Sequence, residues 1–271
     1  VDDGKIKLVS AFNYIKDDYY SAEFKSRKIN LGELSDSVYI FRNCIYEGDM
    51  LFNGKFRYNL KEDKPDDFAL DLQINNFSIY PMNKNVRDYT NFKNCNVYLS
   101  ADKERIDLKT SFKTANSDID IFYKSLITSW KPVRSSNSIE IKSKQLEFDL
   151  LREIIKETVK KVYNLANVDM FQNFDEHRNF LKEPEGIFIN DNDISLKLSA
   201  EKLMLTPKAF LNNMNIDISL IKGIIKTNNF MLDGYNGKYN FSLYSTLRQD
   251  YPYFKFDAGV TDLNLNRISD D

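Results

Sequence analysis

The chain has 271 residues, enough for one large β domain or two ordinary domains, and 42% of them are hydrophobic. Net charge is −2, with 38 basic and 40 acidic residues interspersed, which gives no basic face for nucleic acid. No apolar run reaches the roughly 20 residues of a spanning helix; no leader is visible, and the start at Val1 implies an excised piece whose anchor or targeting segment lies outside it.

From the N-terminus, alternating apolar and polar residues predict strands over 5–11, 19–26, 38–46, 50–59 and 67–79. Phe and Tyr on half-buried strand faces account for the high aromatic content of 14%. Residues 61–67 form a charged turn containing Pro65, and 81–94 read as a polar loop. Alternation returns over 97–100, 105–112, 119–124 and 139–148, with Trp130-Lys131-Pro132 in a connection.

Residues 149–182 break the pattern. Asp149 is a candidate N-cap, and Leu151, Ile154, Ile155, Val159, Val162 and Leu165 recur at helical steps. A second short helix is expected over 170–181, ended by Pro184 and Gly186. Strands resume over 187–190, 194–200, 203–205, 214–221, 224–232, 238–247 and 254–260. Most links are short, so antiparallel hairpins are expected rather than βαβ units. The predicted fold is mainly β with a helical insert: an elongated antiparallel sheet of kinked strands, folded over a hydrophobic groove or core. The regions are 1–148 (β-repeat), 149–186 (helical insert) and 187–271 (second β-repeat).

A ten-residue pattern recurs at 22–31, 70–79, 139–148, 196–205 and 256–265: apolar–x–apolar–x–(small or apolar)–x–x–apolar–x–apolar. Its register positions are Ile29, Phe77, Leu146, Leu203 and Leu263, at loose spacings that suit hairpins of varied loop length. Alternation holds one face, and two consecutive polar residues then shift the phase by one. A strand keeps its apolar face across that shift only through a bulge or a bend. Asn53-Gly54 and Asn236-Gly237 open similar segments, and Asn-Gly between alternating runs predicts a hairpin near each.

Chemistry-bearing motifs are sparse. His177 is the one histidine and sits among charged residues, as a solvated side chain would. There is no glycine-rich phosphate loop and no nucleophile elbow, so neither an enzyme nor a cofactor is indicated. Asp191-Asn192-Asp193 lacks the rest of a calcium loop and reads as a polar turn. Cys44 and Cys95 occupy similar contexts; free thiols and a disulfide are both open.

The stretch 227–239 with the strand after it resembles the C-terminal repeat of AsmA-like proteins, relatives of TamB. Leu232, Tyr235 and Gly237 fit that family's leucine–x–x–tyrosine–glycine–glycine hairpin, with Asn236 in place of its first glycine. Asp262-Leu263-Asn264-Leu265 fits its aspartate–leucine–x–leucine ending. The resemblance covers about 187–268, and through the repeat extends more weakly over 1–150. It implies a periplasmic protein anchored in the bacterial inner membrane, with a folded-over sheet whose apolar groove assists phospholipid movement toward the outer membrane. The helical insert has no counterpart in the family's pattern.

The repeat makes the same demand, since sliding acyl chains need contiguous apolar lining. The groove candidates are Phe24, Leu72, Phe77, Ile141, Phe148, Leu198, Leu203, Phe256, Val260 and Leu263. The expected partner is phospholipid or another acyl-chain lipid, with no nucleic acid. The alternative is a structural or adhesive β module with a sealed core that binds protein or glycan.

Overall fold

The computed structural model describes residues 6–13, 18–32, 44–81, 92–114, 116–130, 133–149, 152, 192–206, 208–235, 237–246 and 253–262. Among them the chain is nearly all β, and it divides into two compact units, Val1–Val133 and Arg134–Asp271. Residues 134–147, placed above with the first β region, belong to the second unit because they pair with strands that follow the insert.

The first unit holds β1 (Ile6–Asn13), β2 (Tyr19–Ser26), β3 (Ile29–Asn30), β4 (Cys44–Asn59), β5 (Lys64–Pro81), β6 (Phe92–Asp102), β7 (Arg105–Thr114) and β8 (Ser117–Trp130). They lie side by side in the order β1-β2-β4-β5-β6-β7-β8, all antiparallel, with β3 also pairing β4. Two tight turns share one device, a side-chain oxygen accepting successive backbone N–H groups. Asn59 Oδ1 accepts from Lys61 and Glu62, both at 3.0 Å. Asp102 Oδ1 accepts from Glu104 at 2.8 Å and Arg105 at 2.7 Å.

The second unit holds β9 (Val133–Glu147), β10 (Asp193–Met204), β11 (Phe210–Ile221), β12 (Ile224–Gly234), β13 (Gly237–Thr246) and β14 (Tyr253–Thr261), adjacent in that order. Pairing is antiparallel except between β9 and β10. That parallel pair departs from the expected all-hairpin array. A parallel step needs a crossover of a dozen residues or more, and residues 148–192, where the helical insert was expected, provide it. Phe148, Asp149 and Arg152 are helical, with an Arg152–Asp149 ion pair at 3.2 Å. The rest of the expected insert lies outside the described residues.

Of the Asp191-Asn192-Asp193 stretch, read above as a polar turn, Asp191 lies outside the described residues and the other two are not a solvated turn. Asp193 opens β10, and Asn192 is 0% exposed. Asn192 Oδ1 accepts from the Ser135 backbone N–H at 2.5 Å and the Ser135 hydroxyl at 2.9 Å, joining the start of β10 to β9. A buried amide is stable only with such partners.

The expected hairpin at Asn53-Gly54 is also overturned. Both residues lie inside β4, where Asn53 pairs Asp71 and Gly54 pairs Leu70. Gly54 is there because the Phe24 ring crosses it: a Cβ at this position would sit 2.3 Å from that ring. The second hairpin is present. Gly234 pairs Gly237, and the reversal runs through Tyr235 at φ 49°. The separate strands expected at 38–46 and 50–59 are one strand from Cys44 onward, and those at 194–200 and 203–205 are one strand, β10.

The phase shift in the repeat is real backbone geometry. In 70–79 the second polar residue, Asn76, has φ 51°, and the register slips between Ile74 and Phe77. In 256–265 the equivalent Asp262 has φ 60°. In 22–31 the strand breaks at Arg27-Lys28, between β2 and β3. Asn and Asp tolerate the left-handed region better than most residues. Gly48 (φ 115°) in β4 and Asn94 (φ 52°) in β6 flank Asn76, so three neighbouring strands bulge together. A Cβ on Gly48 would lie 2.7 Å from the Asn75 carbonyl oxygen. Gly48→Ala therefore combines a backbone clash with a disfavoured φ, and is expected to lower stability by more than about 1 kcal/mol. Asn76→Gly should stay within about 0.5 kcal/mol of the parent. Urea unfolding of the two variants checks both.

Candidate functional site

Each unit's sheet is amphipathic across its width, because antiparallel partners share a face and neighbours along a strand alternate. In the first unit one apolar rung runs Phe52–Leu72–Leu99–Leu108–Tyr123 from β4 to β8. The rung beside it on the same face runs Met50–Ile74–Val97–Thr110–Ile121. Phe24 extends this surface to β2, with its ring 5.8 Å from that of Phe52. Beyond the bulge, Phe77 pairs Cys95 and stacks on Tyr46 at 6.1 Å. Cys95 contacts the Thr110 hydroxyl at 3.7 Å, which places Phe77 and Cys95 on the apolar face too. The bulge thus carries that face past Asn75-Asn76. Cys95 is a free, buried thiol; burial pushes its pKa up, partly offset by the Thr110 contact. The Cys44 side chain and His177 lie outside the described residues.

In the second unit the corresponding rung is Ile141–Leu198–Ile216–Phe230 over β9 to β12. It continues through rings: Phe230 lies 4.8 Å from Phe241, and Phe241 6.2 Å from Phe256. Leu146 pairs Leu203, which pairs Leu211, on the far side of the kink. The two central copies of the repeat therefore align in register, Ile139 beside Leu196, Ile141 beside Leu198 and Leu146 beside Leu203.

The candidates separate by exposure. Leu198 (8%) and Leu203 (4%) are buried, Phe24, Leu72, Phe77 and Ile141 are half-buried, and Phe256 (64%) and Val260 (49%) are open to solvent on β14. Phe148 is exposed and sits past the end of β9, off the strand ladder. Leu263 lies outside the described residues. Phe230 and Phe241, which link the buried part of the face to Phe256, were not among the sequence candidates. They fall outside the ten-residue repeat, and plain alternation along β12 and β13 was the signal available for them.

The reverse faces are wet, with exposed pairs such as Lys55–Asp67 at 2.7 Å, which holds the Asp67 carboxyl below its usual range, and Lys255–Asp257 at 3.1 Å. Such pairs add little to stability. Among the described residues there is no cluster of metal-ligating side chains, and no helix is long and apolar enough to cross a membrane.

Burial predicts unequal roles. Leu203→Ala should cost about 2–5 kcal/mol by opening a cavity, whereas Phe256→Ala should change stability by no more than about 0.5 kcal/mol; thermal and urea unfolding read both. Comparison with family models, with curated proteins and with solved structures finds no match for this chain.

Proposed function

We propose that this protein binds the acyl chains of phospholipid on the apolar faces of its sheets, and works as an AsmA-like periplasmic protein in lipid movement between the bacterial inner and outer membranes. The supporting observation is an apolar face that is continuous yet only half-buried. The rung Phe52–Leu72–Leu99–Leu108–Tyr123 contains no fully buried residue, and the second unit's face ends on the exposed Phe256 and Val260. A sealed core would bring such residues to the burial of Leu146 (2%).

Lipid tails fit such a surface on chemical grounds. They need contiguous apolar contact worth about 0.8 kcal/mol per buried methylene and no fixed polar partner. The bulges serve that need by keeping the face unbroken past each polar pair. The resemblance of 227–265 to the AsmA-like repeat supports the location and the transport role. Anchoring to the inner membrane would come from a segment outside this chain.

Phe256→Asp and Val260→Asp place a charge on the exposed part of the face without disturbing a buried residue. Each should weaken uptake of a fluorescent fatty acid about tenfold, with an unchanged β-type circular dichroism spectrum. Native mass spectrometry of the parent protein should show bound phospholipid. A lipid-free mass together with no uptake of the fluorescent fatty acid would overturn the proposal.

A further inference from the structure

The wet face of the first unit carries a depression of about 680 Å³, within the range of small-ligand clefts, about 300–1,000 Å³. We propose that it is an oligosaccharide-binding site, separate from the apolar face on the other side of the same sheet.

Two adjacent rungs build it. The first runs Leu51–Gln73–Tyr98–Lys109–Phe122 across β4 to β8. The second, two residues further along each strand, runs Asn53–Asp71–Ser100–Asp107–Lys124. All ten residues line the depression, and its floor also takes in the intervening Leu72, Leu99, Leu108 and Tyr123 of the same strands. Five strands span about 19 Å, and the rungs lie about 6.8 Å apart.

The rungs divide the chemistry a sugar chain requires. A pyranose presents C–H faces that stack on aromatic rings, and a rim of hydroxyls that both donate and accept. The first rung supplies rings on alternate strands: Tyr98 is 45% exposed, and Phe122 lies under the Lys109 ammonium at 5.5 Å. The two rings are about 10 Å apart across β7, so one chain of sugars can seat on both. Asn75 Oδ1 accepts from the Tyr98 hydroxyl at 3.4 Å and from Gln73 Nε2 at 3.2 Å, which steadies the platform. The second rung offers an amide, two carboxylates, a hydroxyl and an ammonium in line. Asp71 and Lys124 have no ion-pair partner among the described residues, and Asp107 is held by Arg105 at 2.5 Å.

The same pattern weighs against other ligands. A polyanion would meet Asp71 and Asp107 among the cations, and an acyl chain would have to desolvate both carboxylates.

Saturation-transfer NMR of the full chain with cellotriose, chitotriose and maltotriose tests this. At least one should receive saturation on its ring C–H protons. Tyr98→Ala and Phe122→Ala should each weaken that binding about fivefold, while Tyr98→Phe retains it. Tyr98 is exposed and Phe122 half-buried; an unchanged β-type circular dichroism spectrum checks the fold of each variant, and fatty-acid uptake should match the parent in all three. No transfer to any of the three sugars, or parental binding in both alanine variants, would overturn the proposal. Loss of fatty-acid uptake along with sugar binding would overturn it too, by placing one site on the apolar face.

Discussion

Keeping one side of a strand apolar past two consecutive polar residues is the constraint on which both sheets depend. Alternation is strict in a regular strand, so an uncorrected polar pair sends every later apolar side chain to the wet side. One extra residue in the left-handed region restores the phase. Asn76 does this, Asp262 takes the same backbone conformation at the same place in its repeat, and Gly48 and Asn94 do it in the strands on either side of Asn76. The corrections must align from strand to strand, because a lone bulge would put neighbouring apolar rungs out of step. Neighbouring side chains bridge the gap: the Asn76 backbone N–H donates to Asn96 Oδ1 at 3.0 Å, and that of Asn94 to Ser78 Oγ at 3.2 Å. Those bonds satisfy backbone groups that the bulge removes from the ladder.

In the second unit the correction is shared by two copies of the repeat. β9 and β10 run parallel with their kinks abreast: the register passes from Ser143–Ala200 to Gln145–Lys202. Parallel alignment is the one arrangement that matches every position of a directional repeat with its own equivalent. It also matches like with like in depth: Ile139 with Leu196, Ile141 with Leu198, Leu146 with Leu203. The break in the hairpin series and the long connection at 148–192 are thus one feature. The chain must leave one end of the sheet and re-enter at the opposite end to set these copies side by side.

Much of this was legible in the sequence. Strand content, the second hairpin and the phase shift follow from local pattern, and β2 falls at 19–26 as alternation places it. What escaped was set by partners rather than by the segment. Asn53-Gly54 has turn composition, but the Phe24 ring from β2 fills the space above Gly54 and makes it a strand position. Asn192 looks like a solvated turn residue until Ser135, far away in sequence, supplies its hydrogen bonds. Likewise the repeat marked Leu203 and Val260 alike as lining residues. Position within the sheet decides that one is buried and the other open, and single-strand periodicity holds no information on which strand lies at the edge.

That edge separates the two readings of the apolar face. Along the rung from Leu198 to Phe256, exposure rises from 8% to 64% as the strands approach β14. A module built only to seal its core would taper to polar residues there, since each large apolar side chain left in water forgoes about 1.5–3 kcal/mol of burial. Here the outermost strand places Phe254, Phe256 and Val260 on alternate positions, with Lys255 and Asp257 between them on the wet side. The charges discourage indiscriminate strand pairing, while the apolar positions retain a free energy of burial that only a bound apolar surface releases. On the proposed reading, an acyl chain lying along Phe230, Phe241 and Phe256 would release it, and the exposed edge and the buried centre of the face would then serve as one surface.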